Sequence, residues 1–374
     1  MEDGVLKIAD LRKIGWVCLM LLALLINSSF RIQTNLGTIN LYPFKQSFVP
    51  TEFYIHSVSD FREVKNALGT LIYLDERKNT TSKIEAKLAE GTVISVKNFF
   101  EKSLVSNKNL RPISIRITTL KITEDKQGAA PISGTIELAL AFYVQNDFGQ
   151  SAHLLNFRSK GKYQRSGNQM NVIERVLQQT FSNSLIYFNN YINREAPSNI
   201  KLAKSVELTF SNHVALDADT VYYSKSRPLI WDDFKGKTSS RKYAAYIYPD
   251  FGYNENITIK NGVVQVAFTL RVFLAKSASW ANTSSQNAYV LNHEQRHFDI
   301  QKIFAEKFKD DLKKEKLTPD NFEGIINVQY LETRREIHRM QEKYDDETNH
   351  GLNTVQQESW NKFIDSQLLA YHIR

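Results

Sequence analysis

Apolar residues recur along this chain with two different periods, and the change from one to the other marks out its elements. PISIRITTLKI (112–122) alternates, with Ile113, Ile115 and Ile117 on one face, and GTIELALAFYVQ (134–145) alternates in the same way. A period of two is that of a half-buried strand. TVISVKNFFEKSLV (92–105) has helical spacing instead. NVIERVLQQTFSNSLIYFNNYI (171–192) is clearer still, with Ile173, Val176, Leu177, Phe181, Leu185 and Phe188 forming a stripe. Strands and helices mixed in this way predict an α+β domain over residues 31–195. In REAPSNIKLAKS (194–205), Pro197 and Ser198 break the preceding helix, so 196–205 reads as a linker.

A second domain, 206–374, begins near Val206. Asn261-Gly262 lies between two alternating runs, a strong hairpin signal because both turn residues must tolerate positive φ. In the second arm Val264, Val266, Phe268, Leu270, Val272 and Leu274 face one way, so this arm should pack on a helix. That helix is predicted from Thr283, where Thr283 and Gln286 can form a capping box, to about Lys314. Leu291, Phe298, Ile303, Phe304 and Phe308 supply its apolar positions.

The N-terminus changes the setting. Lys7, Arg12 and Lys13 precede an apolar run from Ile14 to Ile26, followed by Asn27, Ser28 and Ser29. The run is short for a membrane span and suits the core of a secretory signal. Residues 1–29 are therefore expected to be a signal peptide cleaved near Ser29, or else a retained N-terminal anchor. The protein is expected to be exported, in the periplasm or cell envelope or secreted. The sole cysteine, Cys18, lies inside this run, so a cleaved product has neither disulfide nor thiolate ligand. A net charge of +8 without a dense basic stripe or binding motif gives no reason to expect a nucleic-acid partner.

The chemistry gathers in LNHEQRHFDI (291–300), which carries His293, Glu294 and His297 as H-E-x-x-H. Four residues turn a helix by about 400°, so the two imidazoles lie on one face, one turn apart. They can grip one Zn²⁺, and Glu294 can reach a water that the ion activates without itself being a ligand. A catalytic zinc needs a third protein ligand and an open position. The candidates lie in 330–364. His350, beside the helix-ending Gly351, is the first choice; Asp345, Glu347, Glu336 and His338 are the alternatives. Asp299 is placed either to orient an imidazole or on the helix surface. Tyr344, Trp231 and Trp280 read chiefly as core aromatics, and His56, His153 and His213 as ordinary histidines.

Three blocks, RPLIWDDFKGK, then SASWA with LNHEQRHFDIQKIFAEKF, then YDDETNHGLNTVQQESW, together resemble an uncharacterised bacterial family of presumed zinc-dependent proteases. The resemblance covers about residues 206–374. It implies a zincin-like metallopeptidase domain in which His293, Glu294 and His297 form the site and His350 belongs with them. Arg296 departs from the pattern, which has a small residue there, and a long cation beside the ligands bears on access to the cleft. FYIHSVSDFREVKNALGTL (53–71) resembles the opening of envelope lipoprotein accessory domains, so the N-terminal domain is a candidate for docking an envelope protein. The expectation is an exported zinc metallopeptidase that hydrolyses peptide bonds, holds one zinc per chain and uses Glu294 as general base. The other readings are a non-catalytic envelope binding protein with a structural metal, and a zinc amidase acting on cell wall.

Overall fold

The computed structural model describes residues 36–373 except 76–77, 79, 214–217 and 239–242. The expected signal or anchor segment, with Cys18, lies outside the described residues. Among the described residues no helix is long and apolar enough to cross a membrane.

The chain is α+β, with a sheet and two helices followed by a smaller sheet and three helices. The first sheet comprises β1 (Thr38–Ile39), β2 (Phe53–Asp60), β3 (Gly69–Asp75), β4 (Thr80–Leu88), β5 (Arg111–Asp125), β6 (Ile132–Gln145) and β7 (Ser151–Arg165). Its order is β1-β4-β3-β5-β6-β7, and β2 also pairs with β5. β2 runs parallel to the first half of β5 and β3 to a short stretch of its second half. The alternation read from the sequence holds: Ile113, Ile115 and Ile117 are fully buried. A register shift between Ile117 and Thr119 then moves the inward positions to Leu120 and Ile122. A bulge does this because one extra residue flips every following side chain.

Helices α1 (Thr92–Ser103) and α2 (Met170–Glu195) join this core. Ile173, Leu177, Phe181, Leu185 and Phe188 are all fully buried, so the predicted stripe is the buried face of α2. Phe188 stacks on Phe142 of β6 at 4.3 Å, and Phe181 meets Phe99 and Phe100 of α1, each at 5.7 Å. The expected linker is short and packed. Leu202 is fully buried in the first core, its carbonyl accepts from Arg111, and Lys204 N–H donates to the Gly262 carbonyl.

The second sheet joins β8 (Ser205–Asn212), β9 (Thr220–Tyr222), β11 (Pro249–Lys260) and β12 (Val263–Ala275). β11 and β12 form the predicted hairpin, with Asn261 at φ 54° and Gly262 at φ 75°. Both values lie in the left-handed region that a type I′ turn needs. A separate two-stranded ribbon pairs β10 (Ala245–Tyr246) with β13 (Trp280–Ala281). Three helices complete this half: α3 (Ala288–Lys314), α4 (Phe322–Thr348) and α5 (Thr354–Ala370). Val264 to Leu274 on the buried face of β12 share a core with Phe298, Phe304 and Phe308 of α3.

The start of α3 differs from expectation. Thr283–Ser285 forms a 3₁₀ turn, and the helix begins after Asn287, whose side chain accepts from the N–H groups of Tyr289 and Val290. Asparagine is an equally good N-cap, and its carbonyl satisfies two otherwise orphaned donors.

Gly262→Ala tests the hairpin. A Cβ there sits 3.3 Å from the Ala196 carbonyl on a backbone with positive φ. The expected cost is about 1 kcal/mol, read as a melting temperature lower by about 2–4 °C; an unchanged or higher value contradicts the strained-turn reading.

Candidate metal centre

His293, Glu294 and His297 fall in the second turn of α3 and beyond it, held down by the core that Phe298, Phe304 and Phe308 make with the second sheet. His293 and Glu294 are buried, and the ring centroids of His293 and His297 are 4.9 Å apart. Tyr344 of α4 is fully buried against both, at 4.8 Å from each ring. Its hydroxyl donates to the His293 carbonyl, so it is a core tyrosine that fixes the motif helix.

The third donor comes from α4. Asp345 Oδ1 lies 3.3 Å from His293 Nε2 and 3.0 Å from His297 Nε2. These three residues each offer a ligand atom, all within 4.8 Å of one another. His350 stands one step further out. Its Nδ1 is 3.5 Å from the other carboxylate oxygen, Asp345 Oδ2, and its ring rests on Tyr243 at 4.5 Å. Asp345, one of the alternatives, thus completes the tightest donor set, while His350 borders it in the same cleft. The remaining candidates are outside this donor set, although His338 lines the cleft. Glu336 pairs with Lys307 at 2.9 Å, Glu347 accepts from the Trp360 indole, and His338 is exposed beside Glu342.

Two glutamines decide which ring nitrogens are free. Gln341 Nε2 donates to the His297 carbonyl, which turns its Oε1 toward His297 Nδ1 at 2.5 Å. Gln357 Nε2 donates to the Tyr344 hydroxyl, which turns its Oε1 toward His293 Nδ1 at 2.8 Å. An amide oxygen only accepts, so each Nδ1 carries the proton and each Nε2 of a neutral ring presents a lone pair. Both lone pairs face the Asp345 carboxylate. Oδ1 is buried and has no hydrogen-bond partner in that state. Three acceptors facing one another with no donor between them require a cation, either a proton on an imidazole or a metal ion.

The metal-free protein meets the requirement with protons. Burial alone would lower His297, but its hydrogen bond and charge interaction with Asp345 raise it above 6.5. Burial alone would raise Asp345, but the two imidazoles hold it well below 3.8. Glu294 is pushed up by burial, which outweighs the neighbouring imidazoles and the nearby Ile247 N–H.

The chain turn after α4 brings its own backbone to the site. Asn349, His350 and Gly351 all have positive φ, at 46°, 52° and 80°. A Cβ on Gly351 would lie 3.2 Å from the His293 ring. The glycine foreseen as a helix stop is therefore also what lets the turn approach a ligand, and the Tyr289 hydroxyl donates to its carbonyl.

The site opens into a cleft of about 580 Å³. One wall is the contiguous segment Tyr243–Asp250, which no sequence motif marks; α3 and α4 provide the others. Arg296 does not contribute to this lining. It is buried and bonds Asp299 at 3.0 Å, Asp365 at 2.7 Å and Asn361 at 3.1 Å, so it staples α3 to α5 and leaves access open. Asp299 is neither on the surface nor at an imidazole Nδ1. It is fully buried and accepts from Tyr223, Gln295 and Arg296. Trp231 packs on Phe234, and Trp280 on Tyr246.

No family model matches the chain, and no curated protein does. Among solved structures it is similar to a Xanthomonas campestris protein of the DUF330 family, at 10% identity and a TM-score of 0.29, over 42% of this chain and 96% of that one. It is also similar to an uncharacterised protein at 12% identity and a TM-score of 0.26, over 41% and 97%. Both likenesses are too low to carry fold or function across.

The proton-filled site makes a pH prediction. A raised His297 contributes stability below pH 6.5 that is lost as pH rises through its folded pKa. A lowered Asp345 contributes above pH 3.8 and is lost in stronger acid. The metal-free protein should therefore exceed Asp345→Asn in melting temperature most clearly between those two values. Added zinc should stabilise the wild type more at pH 8 than at pH 5.5, because zinc and the proton compete for the same lone pairs. A zinc effect independent of pH contradicts an imidazole site.

Proposed function

We propose that this protein is a zinc-dependent hydrolase acting on peptide bonds, with His293, His297 and Asp345 as metal ligands and Glu294 as general base. The observation that carries the reading is the convergence of three acceptor atoms on one point, each held by its own support, beside a buried carboxylate that faces a cleft. Two imidazoles and one carboxylate are a donor set suited to zinc. Zinc held there would supply Lewis acidity and bring a water to near-neutral acidity.

The residues of the chain account for the rest. Glu294 follows His293 on the helix and faces the cleft beside Ile247 of the opposite wall. From there it takes the proton of the attacking water and returns it to the leaving amine. His350 is placed to keep the Asp345 carboxylate turned inward, being near its second oxygen. Tyr344 and the two glutamines keep both rings from rotating.

The strand edge beside the site favours a peptide over a cell-wall amide. Among the described residues β10 pairs only with β13, and Ala244 O accepts from Asn282 on that same side. β10 ends at Tyr246, and the backbone alternation carried one residue past it turns the Ile247 N–H to the opposite side, toward Glu294. An unpaired edge at a reacting centre suits an extended polypeptide, whose main chain can bond to it.

The test is metal analysis with hydrolysis assays on unfolded casein and on cell-wall material. The wild type should bind one zinc and cleave casein. Glu294→Gln should keep the zinc and lose at least ~100-fold in kcat, the lower range for a general base. Asp345→Ala should lose zinc, whereas His350→Ala should retain it. Zinc without turnover of either substrate supports a structural metal instead, and turnover of cell-wall material alone supports an amidase.

A further inference from the structure

We infer, on the basis of the peptidase reading above, that the site cuts inside an extended polypeptide and that it selects apolar residues on both sides of the bond it breaks. The argument rests on how the cleft wall is laid out around Glu294.

Two contacts fix the ends of that wall. Tyr243 meets the ring of His350 at the end of the cleft next to the α4–α5 turn. Asp250 meets Arg334, eleven residues before Asp345 on α4, at 3.0 Å. Eleven residues of helix span about 16 Å, and the seven steps from Tyr243 to Asp250, if extended, reach at most about 23 Å. Ile247, which lines the cleft with Glu294 and carries an N–H near its carboxyl, lies between those ends. The reacting position is thus interior to the wall. A chain lying along it has room for about three residues on either side of the bond. A site for removing terminal residues needs the wall to stop beside the reacting position. Here it runs on past it, toward Arg334, about 16 Å along the helix from Asp345.

The side chains next to Ile247 give the selectivity. Tyr246 and Tyr248 flank it, line the cleft, and are 45% and 56% exposed, whereas Ala245 and Ile247 between and beside them are buried. Exposure that alternates with the buried Ala245 and Ile247 puts the two tyrosines on one side of the segment, on either side of the residue that marks the reacting position. Tyr246 is steadied by stacking on Trp280. Across the cleft Tyr289 is also partly exposed, at 38%. Substrate side chains on both sides of the bond therefore meet aromatic surface.

The experiment uses the full chain and four synthetic peptides of eight residues with both termini blocked. One has leucine or phenylalanine on each side of the central bond; the others place aspartate on one side, the other, or both. Binding is measured to the Glu294→Gln variant and cleavage with the wild type. The apolar peptide should bind and be cleaved at its central bond at least ~10-fold better than any aspartate peptide, the scale on which an apolar pocket discriminates. Tyr246→Ala and Tyr248→Ala should each reduce that preference with zinc content unchanged, while the conservative Tyr→Phe changes keep it. Three outcomes overturn the inference with the peptidase reading intact: cleavage only of peptides with a free terminus, equal binding of all four peptides, or tyrosine variants that keep the full preference. A chain that binds no zinc and cleaves no peptide overturns both.

Discussion

Three electron-pair acceptors, His293 Nε2, His297 Nε2 and Asp345 Oδ1, point at one another within a mostly buried pocket. Left without a cation, such a meeting is unfavourable, because lone pairs have been taken out of water and given nothing to accept from. A fold keeps an arrangement of this kind only if the surrounding structure over-determines it, and here several devices do. Gln341 and Gln357 hold the two rings by their far nitrogens. Tyr344 fills the space behind both. Arg296, bonded to Asp299 and Asp365, ties the motif helix to α5 from its other side. Gly351 lets the next turn close against His293. Without a metal ion the demand falls on protons, hence the opposite displacements of His297 and Asp345.

The first half of the chain is joined to the second sheet, and its Asp147 N–H also donates to Asp320 ahead of α4. The segment after α2 is not a loose tether. Arg111 bonds both Glu52 and the Leu202 carbonyl, Lys204 donates to Glu52, and the Gly262 N–H donates to Pro197. The turn of the β11–β12 hairpin is therefore fastened to the end of α2, and β8 continues from the same segment into the sheet on which α3 packs. A rigid join of this kind gives the first domain a fixed place relative to the hairpin.

How much could be read beforehand depended on whether a feature is periodic. Ile113, Ile115 and Ile117, the α2 stripe and the β12 face repeat at two or 3.6 residues, so burial follows from position. The Asn261-Gly262 turn was legible because few residue pairs accept positive φ twice. The spacing of His293 and His297 was legible for the same geometric reason. The third donor was not. Asp345 and His350 both lie near the end of α4, and spacing alone does not say which reaches the motif helix. The register along α4 carries a signal in retrospect: Arg334, His338, Gln341 and Asp345 recur at helical intervals, and all line the cleft. His350 leaves that register because it follows the last helical residue, in a left-handed turn. The wall from Tyr243 to Asp250 had no periodicity long enough to read, and the helix start was misplaced because Thr283 and Asn287 are both good caps.

Glu294 makes the whole arrangement conditional. Its burial favours the neutral acid, and the neighbouring imidazoles do not offset that in the metal-free pocket. A carboxyl must be ionised to accept a proton, so under the proposed reading burial makes Glu294 a poorer base in the pocket without an ion. A divalent charge in the donor set would favour ionisation of a carboxyl this close. The Ile247 N–H lies nearby and favours the ionised form as well. Under the proposed reading, one ion in the donor set would thus bear on the fourth group too. The segment that carries Ile247 is also a wall of the cleft, so Glu294 and an extended substrate would share one backbone neighbour.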